Sequence, residues 1–390
     1  MRVIHVMAAL APELGGPSKA CIEMARAVAA RGHTVEIYTT DWGLEGRVPA
    51  DGSPVAHGPA VIRYFPVQRP RAWKPSWPLY RALARDLPGA DVVHLHSLYL
   101  FHDWAAGRIC RRANVPYIVR PHGTLDPYIW RRHRWRKRIV EWAFQNRVLR
   151  HAAAIHYTTE EELHLAAPHA QRAPGVVVPL GVDLADYDSL PPAERFHARH
   201  PETRGKRIIL FLSRLHEKKG LDLLVAAFAL IARKFPDAHL VLAGPDDGAG
   251  GRLDRWLHDA GIVQRTTRTG MVEGDEKRAA LAAASVFALP SYSENFGIAV
   301  LEAMAAGLPV AISDQVNLWR EIERAGAGLI SPCEAEAFAR QLARFLDDPA
   351  EARRMGEAGR RLAREEFAWP RIAVALENLY ADVAARRSIR

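Results

Sequence analysis

Short apolar runs that alternate with amphipathic stretches are the feature that most restricts the fold of this chain. Helical patterns such as Ser18–Ala30 and Phe101–Arg112 separate several of these runs in the first half. Runs that are apolar on both faces and separated by helices predict a parallel sheet covered on both sides. The predicted strands are Val3–Met7, Val35–Thr39, Val61–Phe65, Val92–Leu95, Tyr117–Val119, Ala154–Tyr157 and Val176–Val178.

The second half repeats this scheme, and a chain of 390 residues usually forms two domains. Its predicted strands are Ile208–Leu212, His239–Ala243, Thr266–Thr269, Val286–Leu289 and Val310–Ile312. Its predicted helices are Gly220–Phe235, Asp275–Ala284 and Gly297–Ala306, and the chain after Pro332 is purely helical in pattern. We therefore expect an α/β protein with two doubly wound, Rossmann-like domains that face a cleft, followed by helices.

The domain boundaries follow the change in composition between the halves. Residues 1–185 form the expected first domain, and 207–368 the second. The polar, proline-containing residues 186–206 are the expected hinge between them. Residues 369–390 read as a terminal helix, which we expect to pack back towards the first domain.

Composition points to a protein of the cytoplasm. No apolar run approaches the ~18–20 residues that span a bilayer, and the apolar start is too short for a signal peptide. The three cysteines are far apart and lack metal-site spacing, which argues against disulfides or zinc. Of the formal net charge of +9, residues 1–190 carry +7, which favours an anionic partner.

Two glutamates, Glu294 and Glu302, stand in the segment 291–310, which contains no basic residue. Glu294 is expected after a strand and before a helix, and Glu302 inside that helix. Free amides near Phe296, Gly297 and Ile298 would favour a phosphate, and carboxylates would accept hydrogen bonds from sugar hydroxyls. The alternative is that Glu294 only caps the helix N-terminus and that Glu302 is a solvent-exposed helix residue.

Two further loops follow predicted strands. Arg214 and Lys219 lie between a predicted strand and a predicted helix. The planar guanidinium of Arg214 and the compact ammonium of Lys219 together suit a diphosphate. A merely solvated loop is the alternative. Gly15 and Gly16 precede a helix expected to start at Ser18, and they would let the backbone approach a ligand, although they also form a plain turn.

Together these motifs resemble the retaining glycosyltransferases of family 4, the glycosyltransferase group 1 proteins of GT-B fold. The resemblance covers most of the chain and rests chiefly on the E-x7-E pattern of Glu294 and Glu302 with its G-L-P-V ending. Arg214 with Lys219-Gly220, Gly15-Gly16 and the "RGHTV" segment fall in the order typical of that family.

The resemblance implies a role for each matching residue. Arg214 and Lys219 would bind the donor diphosphate, Glu294 the transferred sugar, and Glu302 the ribose. His122 would lie near the reacting carbon. The remaining donor-binding residues implied are Gly15, Gly16, Val272, Asn295, Phe296 and Gly297, with Val272 acting through its backbone near the base.

The implied reaction is front-face substitution with retention, in which the leaving diphosphate accepts the acceptor's proton. No cofactor or metal is expected, because Arg214 and Lys219 would replace the cation. His94 and His96 lie on one strand, and we expect them to point to opposite faces and not to share a metal. One of them, His94, is a candidate for the acceptor site, with a core role as the alternative.

A basic, tryptophan-rich segment, Tyr128–Arg150, reads as one helix. Such helices lie at anionic membrane interfaces, so peripheral contact with the inner face of a membrane is one interpretation. Inward-packed aromatics with solvated arginines are the other. Nucleic acid is not expected, since no recognised module accompanies the charge. The candidate contact residues are Trp130, Arg131, Arg134, Trp135, Lys137 and Arg138.

The resulting functional hypothesis is transfer of a hexosyl residue from a nucleotide-diphosphate sugar to a lipid-linked or polysaccharide acceptor. Synthesis of exopolysaccharide, lipopolysaccharide or a similar glycan is the expected context. A nucleotide-sugar 2-epimerase of similar fold and a non-catalytic nucleotide-sugar-binding protein are the alternatives. The sequence leaves the sugar, the base, the acceptor and the oligomeric state open.

Overall fold

A computed structural model describes residues 1–12, 15–128, 134–171 and 173–385. The chain divides into two compact units. The N-terminal unit contains Met1–Gly181 and the chain from Trp369 onwards, and the C-terminal unit is Val182–Ala368. This division falls four residues before the boundary expected at 185. Most of the expected hinge, 186–206, lies in short helices of the C-terminal unit.

The N-terminal unit is built on an eight-stranded sheet in the order β3-β4-β2-β1-β5-β6-β7-β8. All neighbouring pairs are parallel except β3 with β4. The strands are β1 Arg2–Ala9, β2 Thr34–Thr40, β3 Pro54–His57, β4 Ala60–Phe65, β5 Val92–His96, β6 Tyr117–Arg120, β7 Ala154–Tyr157 and β8 Gly175–Val177.

The C-terminal unit has a six-stranded, fully parallel sheet in the order β11-β10-β9-β12-β13-β14. Its strands are β9 Arg207–Leu212, β10 Ala238–Ala243, β11 Thr266–Gly270, β12 Ala284–Leu289, β13 Val310–Ser313 and β14 Gly328–Ser331. The central strands β9 and β12 are almost wholly buried, as strands covered by helices on both faces must be.

Helices connect the strands in both units. Those of the N-terminal unit are α1 Gly16–Ala29, α2 Trp77–Asp86, α3 Phe101–Arg112, α4 Arg134–Val140, α5 Asn146–Arg150 and α6 Glu160–Ala166, with α16 Trp369–Ala385. Those of the C-terminal unit are α7 Ala185–Asp188, α8 Glu194–Arg199, α9 Leu221–Ala232, α10 Gly250–Asp259, α11 Gly274–Ala283, α12 Ile298–Ala305, α13 Trp319–Arg324, α14 Ala335–Asp347 and α15 Pro349–Glu366.

The prediction of an α/β protein with two parallel, Rossmann-like sheets is confirmed. The patterns missed β3 and β14, which are short edge strands of four residues each. All four residues of β3 and three of the four of β14 are at least partly exposed, so neither forms a continuous apolar run. The first helix begins at Gly16 rather than Ser18, because Pro17 is well suited to the first helical turn.

Helix α16 packs within the N-terminal unit although it follows the whole C-terminal unit in sequence. Its Tyr380 is fully buried, and its Glu377 bonds with His33 at 3.0 Å. The side chains of Leu376 and Val383 also enter the core. The N-terminal unit is therefore made of two separate stretches of chain.

No helix among the described residues is both long enough and apolar enough to cross a membrane.

Two glycines inside helices of the C-terminal unit give opposite expectations for alanine substitution. A Cβ on Gly356 of α15 would lie 2.1 Å from the Gly307 carbonyl oxygen, whereas one on Gly251 of α10 would meet nothing within 4 Å. Gly356→Ala should destabilise the unit by about 1–3 kcal/mol through overpacking. Gly251→Ala should stabilise it by up to ~1 kcal/mol, because alanine is the better helix former. Thermal unfolding of both variants would test this, and equal shifts would contradict it.

Candidate functional site

The loop after β12 in the C-terminal unit holds Glu294 in place through its own backbone. The Glu294 N–H donates to the Gln315 carbonyl at 2.9 Å, and the Asn317 N–H donates to the Glu294 carbonyl at 3.0 Å. These bonds join the loop after β12 to the one after β13. Because parallel strands end at the same edge of a sheet, the loop also faces the end of β9.

The loop after β9 is tightly constrained. Its short 3-10 turn, Glu217–Lys219, is capped by His216, whose Nδ1 accepts from the Lys218 N–H at 3.0 Å. Gly220 follows at φ 68°, and a Cβ there would lie 2.0 Å from the Pro290 carbonyl oxygen. Only glycine therefore fits where the two loops approach each other.

The close approach of these loops brings Lys219 and Glu294 together as an ion pair. Burial alone would raise the pKa of Glu294, but the charges of Lys219 and Lys218, the Lys219 hydrogen bond and the charge of Arg214 outweigh it. The pKa of Glu294 therefore lies below its ordinary value of 4.5. The predicted residues Arg214, Lys219 and Glu294 do gather at one edge of the sheet.

Glu302 has a different lysine as its partner. It is buried on α12, and its Oε1 accepts from the Lys277 Nζ of α11 at 2.8 Å. Lys277 was not predicted, although it lies only five residues after Val272, whose backbone was expected near the base. Lys218 was also missed, because a lysine in a polar loop gives no signal of its own. Each glutamate thus has a cation from elsewhere in the chain.

Polar groups of the backbone remain available beside Glu294. Gly297 adopts φ 84° and precedes α12, so the N–H groups of Ile298 and Ala299 have no partner inside that helix. Among the described residues, the buried Oδ1 of Asn295 also lacks a hydrogen-bond partner. Phe296 is buried and contacts Phe367 edge to face. An anion could be held by amides here and a hydroxyl by the Asn295 carbonyl oxygen.

Arg214 is exposed, unlike its predicted partners Lys219 and Glu302. Its Nη1 bonds to Asp247 Oδ2 at 2.7 Å, and both side chains are roughly half exposed. An exposed pair of this kind contributes little to stability, so Arg214 can exchange Asp247 for a ligand at low cost. Val272 is buried, in the loop between β11 and α11.

In the N-terminal unit, His122 follows β6 with φ 53°, a left-handed conformation uncommon outside glycine. Ser97 and Tyr99, in the loop after the neighbouring β5, also have positive φ values of 67° and 69°. Strained backbone of this type is frequent at functional sites. Gly15, with φ 78°, caps α1 at the same edge of the sheet, and Gly16 begins that helix.

The expectation that His94 and His96 point to opposite faces of the sheet is wrong. Residues two apart on a strand share a face, and the two rings lie 4.6 Å apart between centroids. His94 is fully buried, and its Nδ1 is 2.9 Å from the Tyr380 hydroxyl. In this structure His94 is therefore a core residue, which was the alternative to an acceptor-binding role.

The basic segment is not one regular helix. Trp130 and Arg131 lie outside the described residues, as does the side chain of Arg134. From residue 134 onwards α4, a π-helical turn at Glu141–Gln145 and α5 follow one another. Phe144 packs on the core, while Trp135, Ile139 and Trp142 are 64%, 58% and 87% exposed. Half-buried Lys137 and exposed Arg138 stand between Trp135 and Ile139 in the sequence.

Comparison with known proteins gives a consistent result. Residues 14–186 match the family described as Glycosyltransferase Family 4, and residues 192–362 match Glycosyl transferases group 1. Glycogen synthase of Mycobacterium tuberculosis is 28% identical over 316 residues, which cover 77% of this chain and 70% of that protein.

Two further proteins extend the comparison. A GDP-mannose-dependent alpha-(1-6)-phosphatidylinositol monomannoside mannosyltransferase of M. tuberculosis is 34% identical over 223 residues, 54% of this chain and 56% of that one. Anabaena HepE in complex with UDP-glucose has a TM-score of 0.77 at 17% identity, covering 98% of this chain and 100% of that chain. The last likeness shows the fold.

The cations around Glu294 predict a pH-dependent contribution to stability. Because the folded protein lowers the pKa of Glu294, its ionised form stabilises the fold above the ordinary value of 4.5. This contribution is lost as the pH falls through the lower folded value. Glu294→Gln should thus be less stable than wild type at pH 7, and the difference should shrink below pH 4.5.

Chemical denaturation across this pH range would measure that difference in the free energy of unfolding. Glu365→Gln is the matched control, since Glu365 is exposed on α15 and has no ion pair among the described residues. A gap between Glu294→Gln and wild type that stays constant with pH would refute the ionic contribution.

Proposed function

This chain belongs to the glycosyltransferases of group 1 and family 4, and on that premise we propose that it is a retaining hexosyltransferase. Its donor would be a nucleotide-diphosphate sugar and its acceptor a lipid-linked or polysaccharide glycan. The observation that carries the proposal is the pair of buried or half-buried glutamates, Glu294 and Glu302, each held by its own lysine. The relatives support a sugar-transfer reaction, and HepE has been solved with UDP-glucose.

The cations near Glu294 suit the diphosphate of such a donor. Lys218, Lys219 and Arg214 all act on the Glu294 carboxylate, so this loop carries enough positive charge to attract a phosphate. The free amides at the start of α12 add donors in the same place. We propose that these groups stabilise the leaving nucleotide and that no metal ion is required.

The two glutamates would divide the recognition of the donor between them. We propose that Glu294 accepts hydrogen bonds from hydroxyls of the transferred sugar, and that Glu302 accepts them from the ribose. Asn295, with its unpaired carbonyl oxygen among the described residues, would assist Glu294. In the N-terminal unit, Gly15, Gly16 and His122 would contact substrate.

The proposed chemistry needs no carboxylate nucleophile. The acceptor hydroxyl would attack on the face from which the diphosphate leaves, and a diphosphate oxygen would take its proton. The protein's share of the catalysis would then be positioning and stabilisation of negative charge.

An anionic membrane surface is proposed as a further partner. Trp135 and Ile139 are one turn apart on α4, and Trp142 follows in the π-helical turn; the side chains of all three are exposed. Neighbouring Arg138 is also exposed. Aromatic side chains together with cations are typical of helices that lie at the interface of an anionic membrane. A lipid-linked acceptor would be presented at such a surface.

The division between the glutamates gives the test of the donor site. Glu302→Ala should weaken binding of the free nucleoside diphosphate by about tenfold or more, because the ribose is part of it. Glu294→Ala should leave that affinity nearly unchanged yet reduce turnover by about 10²–10³-fold, because its partner changes bonding during the reaction. Glu365→Ala is the surface control.

Calorimetry with UDP, GDP and ADP and a turnover assay with their sugars, both in EDTA, would measure these effects. Slow hydrolysis without acceptor supports a transferase, whereas epimer formation indicates the epimerase and inert binding indicates a non-catalytic protein. Equal loss of diphosphate affinity in both variants would contradict the division, and activity that depends on added metal would contradict the metal-free proposal.

The membrane proposal is tested by replacing the most exposed tryptophan. Trp142→Ser should reduce binding to vesicles containing phosphatidylglycerol by about tenfold, because a large apolar side chain no longer enters the interface. Leu230→Ser is the matched control, since Leu230 is 57% exposed on the C-terminal unit. Sedimentation with vesicles measures binding, and wild-type protein that ignores anionic vesicles would refute the proposal.

A further inference from the structure

Five histidines and one tyrosine of the N-terminal unit form a continuous line of side-chain contacts, which we call the histidine chain. It begins at His122 and ends on the backbone carbonyl of Val178. Except for His122, which is partly exposed, every member is fully buried. In order of contact the members are His122, His96, His5, Tyr380, His94 and His156.

The sheet explains why these side chains meet. His5 of β1 lies in register with His94 of β5, and His96 follows on the same face of that strand. His156 comes from β7 on this face, and α16 supplies Tyr380. The positions of the side chains in the histidine chain are therefore determined by the parallel register of the strands and by the helix that covers the sheet.

The distances between the ring nitrogens are those of hydrogen bonds. His122 Nε2 lies 3.0 Å from His96 Nδ1, and His96 Nε2 lies 2.9 Å from His5 Nδ1. The hydroxyl of Tyr380 lies 3.5 Å from His5 Nε2 and 2.9 Å from His94 Nδ1.

The other end of the histidine chain is a carbonyl group, which can only accept a hydrogen bond. His94 Nε2 lies 3.3 Å from His156 Nδ1, and His156 Nε2 lies 2.7 Å from the Val178 carbonyl oxygen. Because a carbonyl has no proton to give, His156 must carry its proton on Nε2.

The buried imidazoles are neutral, so each has one N–H. Burial, together with the smaller effect of the buried cation Arg120, lowers the pKa of His5 to about 3. Burial also holds the pKa values of His96 and His156 well below their ordinary value. A neutral ring that donates from one nitrogen must accept at the other.

The direction of every bond then follows from the Val178 end. His156 accepts at Nδ1, so His94 donates from Nε2 and accepts the Tyr380 hydroxyl proton at Nδ1. The Tyr380 oxygen in turn accepts from His5 Nε2, and His5 Nδ1 accepts from His96 Nε2. Each N–H or O–H proton takes part in one hydrogen bond, and every histidine of the histidine chain carries its single N–H on Nε2.

We propose that the histidine chain holds His122 as its Nε2–H tautomer, so that Nδ1 is left as a hydrogen-bond acceptor for a hydroxyl of the ligand. His122 Nε2 donates to His96 Nδ1, and Nδ1 of His122 has no hydrogen-bond partner among the described residues. The five buried members are positioning residues, since they act on substrate only through His122. The identity of the hydroxyl, that of a sugar, rests on the proposed function.

A metal ion is the competing explanation for part of this cluster. His5, Cys21 and His96 offer ligand atoms that lie within 4.8 Å of one another. A metal there would replace the His5–His96 hydrogen bond and would lie close to the guanidinium of Arg120, which acts on both His5 and Cys21. Burial also raises the pKa of the Cys21 thiol to about 12, which opposes the thiolate a metal needs. The hydrogen-bonded chain fits these charges better.

The tautomer can be read directly by NMR of the full-length protein labelled with ¹⁵N-histidine. His122, assigned from its loss in His122→Gln, should show a protonated Nε2 and an unprotonated Nδ1 in the absence of any ligand. A proton on Nδ1 of wild-type His122 would overturn the proposal. This measurement does not require activity, so it can fail or succeed independently of the proposed function.

Tyr380→Phe tests whether the chain sets this tautomer. It keeps the ring but removes the hydroxyl that joins the two halves, so His122 should change from one tautomer to a mixture. The efficiency kcat/KM should fall about tenfold, the equivalent of one hydrogen bond, with the melting temperature checked separately.

Tyr157→Phe is the matched control, because the buried Tyr157 hydroxyl has no hydrogen-bond partner among the described residues. It should leave the His122 signals unchanged. Identical His122 spectra in Tyr380→Phe and wild type would overturn the proposal. So would a stoichiometric metal ion in the purified protein whose removal by a chelator shifts the His5 and His96 signals.

Discussion

Parallel pairing of strands is the constraint on which the rest of this structure depends. A parallel strand must be followed by a crossover, so the carboxyl ends of all strands collect at one edge of each sheet. In the C-terminal unit that edge brings the loops after β9, β12 and β13 into contact. The Gly220 turn can then approach the Pro290 carbonyl, and this approach places Lys219 against Glu294. Residues 75 positions apart in sequence become an ion pair for this reason.

The same constraint explains how two glutamates can lie in a segment that contains no basic residue. Neither Glu294 nor Glu302 has a basic neighbour in sequence, and each is neutralised by a lysine from another crossover. Burying a carboxylate without such a partner would cost folding free energy. A lysine partner can also bind the phosphate of a ligand, which suits a binding site. In the proposed reaction the diphosphate would compete with Glu294 for Lys219.

Much of the fold was readable from the sequence, because buried parallel strands such as β9 and β12 are long apolar runs. The motifs also identified Arg214, Lys219 and Glu294, which gather at one edge of the sheet, and Glu302, which is buried against Lys277. What escaped were polar residues whose partners are set only by the tertiary fold. Lys277 belongs to this group, and so does His5, which lies between apolar residues of β1. The error over His94 and His96 was different in kind, since alternation along a strand places residues two apart on the same side.

The two-stretch construction of the N-terminal unit has a consequence for how the protein is made. Helix α16 supplies Tyr380 to the core of that unit, yet it follows the entire C-terminal unit in sequence. During synthesis the N-terminal sheet therefore emerges long before the helix that covers part of it. The C-terminal unit is continuous in sequence and can fold as soon as it leaves the ribosome, whereas the unit begun first is completed last. Until α16 is made, the histidines that it covers in the folded protein remain exposed to water. The N-terminal unit is therefore incomplete until the last part of the chain has been synthesised.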